Sequence, residues 1–288
     1  MSKQLFSVIG NSQKLDGGAM FGNVPKAMWE KWVQVDELNR IDLGCRALLI
    51  KDGSKNILLE TGIGAFFEPK LKQRFGVVEQ EHVLLDSLQQ IGLSHEDIDI
   101  VILSHLHFDH AGGLLSAWQE GKEPELLFPN AQFITGREHW ERAQAPHFRD
   151  RASFLPALNK LLEQSGRLHL VDGRHCDILT EDYSFSISEG HTPGMLLTEV
   201  KLQDASVTFA ADLIPGVPWV HLPVTMGYDR FPEHLIEEKQ NLLQQLHEQQ
   251  NWLFFTHDIH TAMAQIGRDE KGRFVAQQEQ KELQAFVS

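Results

Sequence analysis

Ser104-His105-Leu106-His107-Phe108-Asp109-His110 places four potential metal ligands within six residues. Just before it, Asp99-Ile100-Val101-Ile102-Leu103 is a short apolar run of the kind that forms a strand buried on both faces, and the polar cluster starts where that run ends. In an extended segment side chains alternate with period two, so His105 and His107 share a side and can chelate one ion. Asp109 and His110 fall where Ala111-Gly112-Gly113 turns the chain, and there they can face a second ion. A polar loop carrying these histidines by chance is the bland alternative, and the density of donors at a strand end weighs against it.

The same arrangement recurs further along. Ala210-Ala211-Asp212 and Phe254-Phe255-Thr256-His257 each run from an apolar strand into a carboxylate or an imidazole. Strand ends that carry polar groups into a crevice are where α/β proteins build active sites. Short β-type runs are expected at 46–51, 56–60, 99–104, 132–135, 167–171, 183–188, 196–201, 206–211 and 252–256. Helical periodicity appears at 82–91, 113–120, 137–144, 155–164 and 232–249, with a shorter helix near 27–33 after a glycine-rich apolar loop over 15–25. Strands in two groups, each followed by helices, indicate a layered α/β (α+β) sandwich. No repeat, low-complexity tract or linker divides residues 1–288, which reads as a single domain.

Composition narrows the function. A formal charge of −14 argues against a nucleic-acid partner, because phosphate binding rests on Lys and Arg. No run approaches the ~18 apolar residues of a membrane span, and the N-terminus lacks a signal-peptide pattern, so a cytoplasmic protein without membrane insertion is expected. Cys45 and Cys176 lack the spacing of a cysteine metal motif, which leaves His and carboxylates to bind metal. Most of the 15 histidines carry no assigned role; position alone separates ligand from core residue.

His105-Leu106-His107-Phe108-Asp109-His110 resembles the HxHxDH signature of the metallo-β-lactamase-fold superfamily, and the resemblance extends over nearly the whole chain. It implies a four-layer αββα sandwich. His191 in Gly190-His191-Thr192-Pro193-Gly194 then matches the third histidine, Asp212 the bridging carboxylate and His257 the last histidine. One ion would be held by His105, His107 and His191, the other by Asp109, His110 and His257, with Asp212 between them. Two divalent ions per chain follow, zinc ahead of manganese, cobalt or iron. In Leu58-Leu59-Glu60-Thr61-Gly62 the superfamily usually carries Asp where Glu60 stands, a departure expected to alter ligand orientation more than ligand identity.

Two such ions lower the pKa of a bridging water and polarise a carbonyl or phosphoryl oxygen, so hydrolysis is the expected chemistry. Within the superfamily, glyoxalase II would need a helical glutathione-binding extension, and 31 residues follow His257. The tRNA-processing or β-CASP nucleases of the superfamily would need a basic surface or an inserted domain. The segments from Leu15 to Lys26 and from Asp36 to Ile41, with Asp212-Leu213-Ile214-Pro215, His221 and Met226-Gly227-Tyr228-Asp229, resemble the YtnP-type quorum-quenching N-acyl-homoserine lactonases. That resemblance implies a small-molecule substrate, an acylated lactone or ester, opened by attack of a metal-bridging hydroxide, with Asp109 or Asp212 carrying the proton. The alternative is a phosphotriesterase-like, methyl-parathion-hydrolase-like organophosphate hydrolase or a general ester hydrolase. A non-catalytic metal-binding module is the reading from a different class.

Better-known homoserine lactonases place a tyrosine three residues after the bridging Asp, and here that position is Pro215. Tyr228 and His221 are the candidates to replace it as oxyanion helper. Met20, Phe21, Met28, Trp29 and Trp219 are candidates by residue type to line an acyl channel. The amphipathic 232–249 helix, with Leu235, Ile236, Leu242, Leu243 and Leu246 on one side, is expected to pack on the sandwich, a homodimer contact being its alternative use.

Overall fold

Leu48 and Ile50 bury into one core while Ala47 and Leu49, between and beside them, bury into another, because successive side chains of a strand point to opposite faces. Repeated along neighbouring strands, this alternation produces a sheet covered on both sides. The computed structural model describes residues 2–287. The chain enters through β1 (Gln4–Ile9) and a ribbon of β2 (Gln13–Asp16) and β3 (Arg40–Leu43), then runs through β4 (Arg46–Asp52), β5 (Lys55–Leu59), β6 (Ile100–Ile102), β7 (Gln132–Gly136) and β8 (Leu168–Val171). Without the ribbon these make a six-stranded sheet in the order β1-β4-β5-β6-β7-β8, parallel from β5 to β8. Strands β9 (Tyr183–Ser188), β10 (Met195–Lys201), β11 (Ser206–Phe209), β12 (Trp252–Phe254), β13 (Met263–Arg268) and β14 (Phe274–Gln280) make a second, in the order β14-β13-β12-β11-β10-β9.

The helices are α1 (Gly17–Phe21), α2 (Lys26–Trp29), α3 (Pro69–Phe75), α4 (Val83–Gln90), α5 (Phe108–Ala111), α6 (Arg137–Gln144), α7 (Pro156–Ser165) and α8 (Pro232–Gln249). Leu84 and Leu88 of α4, Ala143 of α6, and Leu158 and Leu162 of α7 join Leu49, Leu58, Val101 and Phe133 in the core outside the first sheet. Leu48, Ile50, Ile57 and Ile102 share the other core with Phe185, Val207, Phe209 and Leu253 of the second sheet and with Leu235, Leu243 and Leu246 of α8. Each buried aliphatic side chain contributes about 2 kcal/mol. The order helix, sheet, sheet, helix is the expected αββα sandwich.

Several local expectations are corrected. The 113–120 segment is not a helix: a 3-10 turn over Gly112–Leu114 is followed by extended chain, with Leu115 bridged to Leu126. Gly113 explains this, since its N–H donates to Gly62 O at 2.9 Å and a Cβ there would lie 2.1 Å from Thr61 O. That close approach pins the turn against the end of β5 and overrides helical periodicity. The 15–25 loop contains helix α1, its first amides capped by Asp16, whose Oδ1 accepts from Ala19 N at 2.8 Å. The helix near 27–33 shortens to Lys26–Trp29.

On α8 the apolar stripe packs on the sandwich as expected, but the sequence reading overlooked Lys239. It is fully buried, and its ammonium donates to the carbonyls of His221, Leu222 and Val224 at 3.2, 3.2 and 2.7 Å.

Candidate metal centre

At one end of the sandwich the two sheets are stitched together through their backbones. Leu196 N donates to Ser104 O at 2.9 Å, Arg46 N to Thr256 O at 2.9 Å and Gly44 N to His257 O at 3.0 Å. This seam draws together the ends of β5, β6, β11 and β12 with the β9–β10 loop, and each brings one part of the polar cluster. After β6 the chain runs extended through His105 to His107, then α5 turns Asp109 and His110 inward. Asp212 stands in a 3-10 turn after β11, next to Ala211 at φ 43°.

Four imidazoles have their Nδ1 engaged on the outer side. His105 Nδ1 lies 2.9 Å from Ser104 Oγ, His110 Nδ1 2.9 Å from Glu60 Oε2, His191 Nδ1 2.9 Å from Asp229 Oδ1 and His257 Nδ1 2.6 Å from Gly44 O. A ring that donates from Nδ1 keeps a lone pair on Nε2, and here all four Nε2 atoms point into one crevice. His107 is turned the other way: its Nδ1 is the inward atom, 3.3 Å from His191 Nε2.

The inward donors form two groups capable of holding an ion, one of His105, His107 and His191, the other of Asp109, His110 and His257. Asp212 faces both. Its Oδ2 is 3.2 Å from His191 Nε2 and 3.3 Å from His110 Nε2, while its Oδ1 is 3.2 Å from His257 Nε2. A third grouping contains Glu60 with His105 and His110. Glu60 meets His110 on its Nδ1 edge, away from the crevice, and its other partners are the hydroxyls of Ser104 and Thr256. It therefore orients donors from behind.

The residues present fit a pair of cations. His105 Nε2 and Asp212 Oδ1 are buried without a hydrogen-bond partner, a costly state for polar atoms that a metal ligand resolves. The donor set, imidazole nitrogens with carboxylate oxygens, suits zinc-like divalent ions. The electrostatics agree. Burial alone would favour a protonated Asp212, yet His110, His191 and His257 hold its carboxyl well below the usual carboxylate range. Burial likewise opposes an imidazolium at His110, but Glu60, Asp212 and Asp109 outweigh it and raise its pKa well above normal. These carboxylates create a field that calls for positive charge.

The metallo-beta-lactamase superfamily pattern matches residues 40–257, which span every group described above. The chain belongs to the metallo-β-lactamase superfamily. Within that superfamily it is 26% identical over 239 residues to an N-acyl homoserine lactonase of a Bacillus species, across 77% of this chain and 84% of that protein. It is equally 26% identical over 245 residues, with the same coverage, to the N-acyl homoserine lactonase AiiA of Bacillus thuringiensis subsp. kurstaki. A "probable metal-dependent hydrolase" from Staphylococcus aureus superposes with a TM-score of 0.85 at 27% identity, over 96% of this chain and 98% of that one. The dizinc quorum-quenching lactonase AidC, solved with N-hexanoyl-homoserine product, shares the fold with a TM-score of 0.73 at 22% identity, over 99% of this chain and 96% of that one. A metal-dependent hydrolase of the metallo-β-lactamase superfamily is thus the general description of this protein.

The other sequence candidates separate. Tyr228 is 45% exposed; partial burial, Asp109 and Asp16 raise its pKa, so its hydroxyl stays a neutral donor. His221 instead packs edge-on to Trp32 at 6.4 Å, and the charges acting on it are Arg273, Lys239 and Asp269, none from the centre. Pro215 contributes its carbonyl, which accepts His257 N–H at 2.9 Å. Of the proposed acyl-channel residues, Met20, Phe21 and Trp29 are core, and Phe21 stacks between Trp29 and Trp219 at 5.3 and 4.7 Å. Met28 and Trp219, together with His221, line a cavity of about 670 Å³ that reaches the centre at His257. Buried behind the donors, Phe154 lies 5.0 Å from His107, and Phe108 clusters with Phe67 and Phe75.

Two supporting residues escaped the sequence reading. Asp229 holds His191 and is itself fixed by Met226 N–H at 2.6 Å. Its place at the end of the Met226-Gly227-Tyr228-Asp229 stretch was the available signal. His139 is fully buried; it accepts from Leu106 N at 2.8 Å and its Nδ1 meets Pro193 O at 3.0 Å, tying the His105–His107 segment to the loop of His191. Burial holds its pKa down at about 4. Unfolded, this ring takes up a proton near pH 6.5, so between pH 6.5 and 4 the unfolded state gains a proton the folded state refuses. Stability linked to His139 is complete above pH 6.5 and declines by about 3 kcal/mol as pH falls to 4. In denaturant unfolding over this range, the stability of the wild type should fall by about 3 kcal/mol more than that of His139→Gln.

Proposed function

We propose that the protein is a dinuclear metal-dependent lactonase that opens the ring of N-acyl-homoserine lactones. His105, His107 and His191 would hold one ion and Asp109, His110 and His257 the other, with Asp212 facing both. The observation carrying this reading is the division of Asp212's oxygens, one toward His257 and the other toward His191 and His110. The lactonase names of the curated relatives at 26% identity support the substrate class.

Two divalent ions held there would supply a water of lowered pKa and polarise the substrate carbonyl. The chain's own groups do the rest. Three imidazoles hold Asp212 as a carboxylate, which suits a fixed ligand and makes it a poor acid. Asp109, half-buried at the mouth, is better placed to pass a proton to the leaving alkoxide. Tyr228, a neutral phenol near Asp109, is the group that can donate to the developing oxyanion where Pro215 cannot. Met28 and Trp219, in the cavity that reaches His257, offer an apolar channel for the acyl chain.

Side-by-side rates on a long-chain acyl-homoserine lactone and an aryl phosphotriester, with ring opening followed by proton release, test the assignment. Lactone turnover is expected to exceed phosphotriester turnover by at least about tenfold in kcat/KM, roughly 1.4 kcal/mol in barrier. Faster phosphotriester hydrolysis would replace it with the organophosphate-hydrolase reading.

A further inference from the structure

We propose that Glu60 is a positioning residue that couples the two ion sites through one carboxylate; the inference rests on the dinuclear reading above. Glu60 ends β5 with its backbone in the left-handed region, φ 63°, and with its N–H donated to Ile102 O at 2.8 Å. That conformation is unfavourable for a residue with a side chain and persists where the surroundings impose it. Here it delivers a buried carboxylate, 1% exposed, to the back of the metal centre, between the ends of β5, β6 and β12.

The two oxygens of Glu60 divide their partners. Oε2 takes His110 Nδ1 at 2.9 Å and lies 3.2 Å from Thr256 Oγ1, next to His257 in the chain. Oε1 accepts the hydroxyl of Ser104. With its single proton committed to Glu60, Ser104 Oγ is left to accept from His105 Nδ1, 2.9 Å away. The carboxylate therefore sets the tautomer of His110 directly and that of His105 through one hydroxyl. In each ring Nε2 is left as an inward lone pair, and His105 Nε2 is a buried atom with no other partner. His110 and His105 belong to different donor groups, so one side chain prepares a ligand for each ion. A shorter Asp at this position has less reach with which to serve both arms, which gives the Glu a physical reason.

This wiring predicts an asymmetry that general loosening of the fold does not produce. Ser104→Ala cuts only the arm to His105, whereas Glu60→Ala cuts both. The two ion sites are isolated by His257→Ala, which leaves the group of His105, His107 and His191, and by His191→Ala, which leaves the group of Asp109, His110 and His257. Each background is stripped of metal and titrated with Co(II) against a chelating dye, with ligand-field absorption as a second readout. Ser104→Ala is expected to weaken Co(II) binding about 10-fold in the His257→Ala background and less than about twofold in the His191→Ala background. Glu60→Ala is expected to weaken it about 10- to 100-fold in both. If Glu60→Ala does not fold, Glu60→Gln, whose amide offers one acceptor oxygen, is expected to weaken at least one site about 10-fold. Equal effects of Ser104→Ala on both sites, or unchanged binding in every Glu60 variant, would overturn the coupling alone. Fewer than two ions bound by the wild type would remove the dinuclear reading and this proposal with it.

Discussion

Asp212→Asn is expected to leave the protein with fewer than two bound ions per chain and to lower kcat/KM by roughly 10³-fold, about 4 kcal/mol of barrier. The amide keeps the shape of the side chain and removes its charge. In the wild type that charge lies within 3.2 to 3.3 Å of three buried imidazole nitrogens, on His191, His110 and His257. Removing one partner from a buried charged set typically costs 3–5 kcal/mol, because the groups left behind stay desolvated. An amide also has one oxygen where the carboxylate has two, so it cannot face both donor groups equally. Metal analysis of the purified variant and steady-state kinetics on the lactone check this. Two ions per chain with kcat/KM within about threefold of wild type would show that Asp212 does not bridge.

Removing the metals should cost more stability than any single substitution discussed above. A ligand that binds only the folded state stabilises it by about 4 kcal/mol when present at 1,000 times its dissociation constant. Two ions at that excess contribute roughly 8 kcal/mol, which for a chain of this size corresponds to a shift in Tm on the order of 15 °C or more. The chemical reason is local. Without cations, a cluster of buried imidazoles and carboxylates must be held together by its own protons, with His105 Nε2 and Asp212 Oδ1 unpartnered. Thermal unfolding with and without a strong chelator measures the shift, and re-addition of zinc or manganese should restore it. A change below about 3 °C would mean that the folded protein binds the ions far more weakly than this excess over Kd requires, and would overturn the prediction.

How much of this could be read along the chain depends on what each residue's role requires. His105, His107, Asp109 and His110 are local in sequence, and their spacing alone puts them on one segment. Strand ends at Asp212 and His257 are likewise visible, because an apolar run that stops at a charged group is a pattern in one dimension. The β-type runs at 46–51, 183–188 and 252–256 were recognisable for the same reason. Strand β14, Phe274–Gln280, was not: beyond its first three residues it is Gln and Glu, and it is a strand because β13 offers it an edge. The 113–120 segment shows the opposite failure, where helical periodicity lost to the contact between Gly113 and Thr61.

The alternating strands, the donors and their order are legible along the chain, and the His105–His110 motif carries the resemblance to the metallo-β-lactamase superfamily. Period-two burial and the spacing of ligands are properties of a segment and survive without knowledge of its neighbours. Only the tertiary structure decided which nitrogen each imidazole turns inward, because that choice belongs to the outer partner: Ser104, Glu60, Asp229 and the Gly44 carbonyl. It also set Tyr228, which feels the charge of Asp109, apart from His221 beside Trp32, and assigned Phe21 and Trp29 to the core. Those distinctions depend on contacts between residues up to 213 positions apart, as between Gly44 and His257, and such contacts exist only once the two sheets have closed on each other.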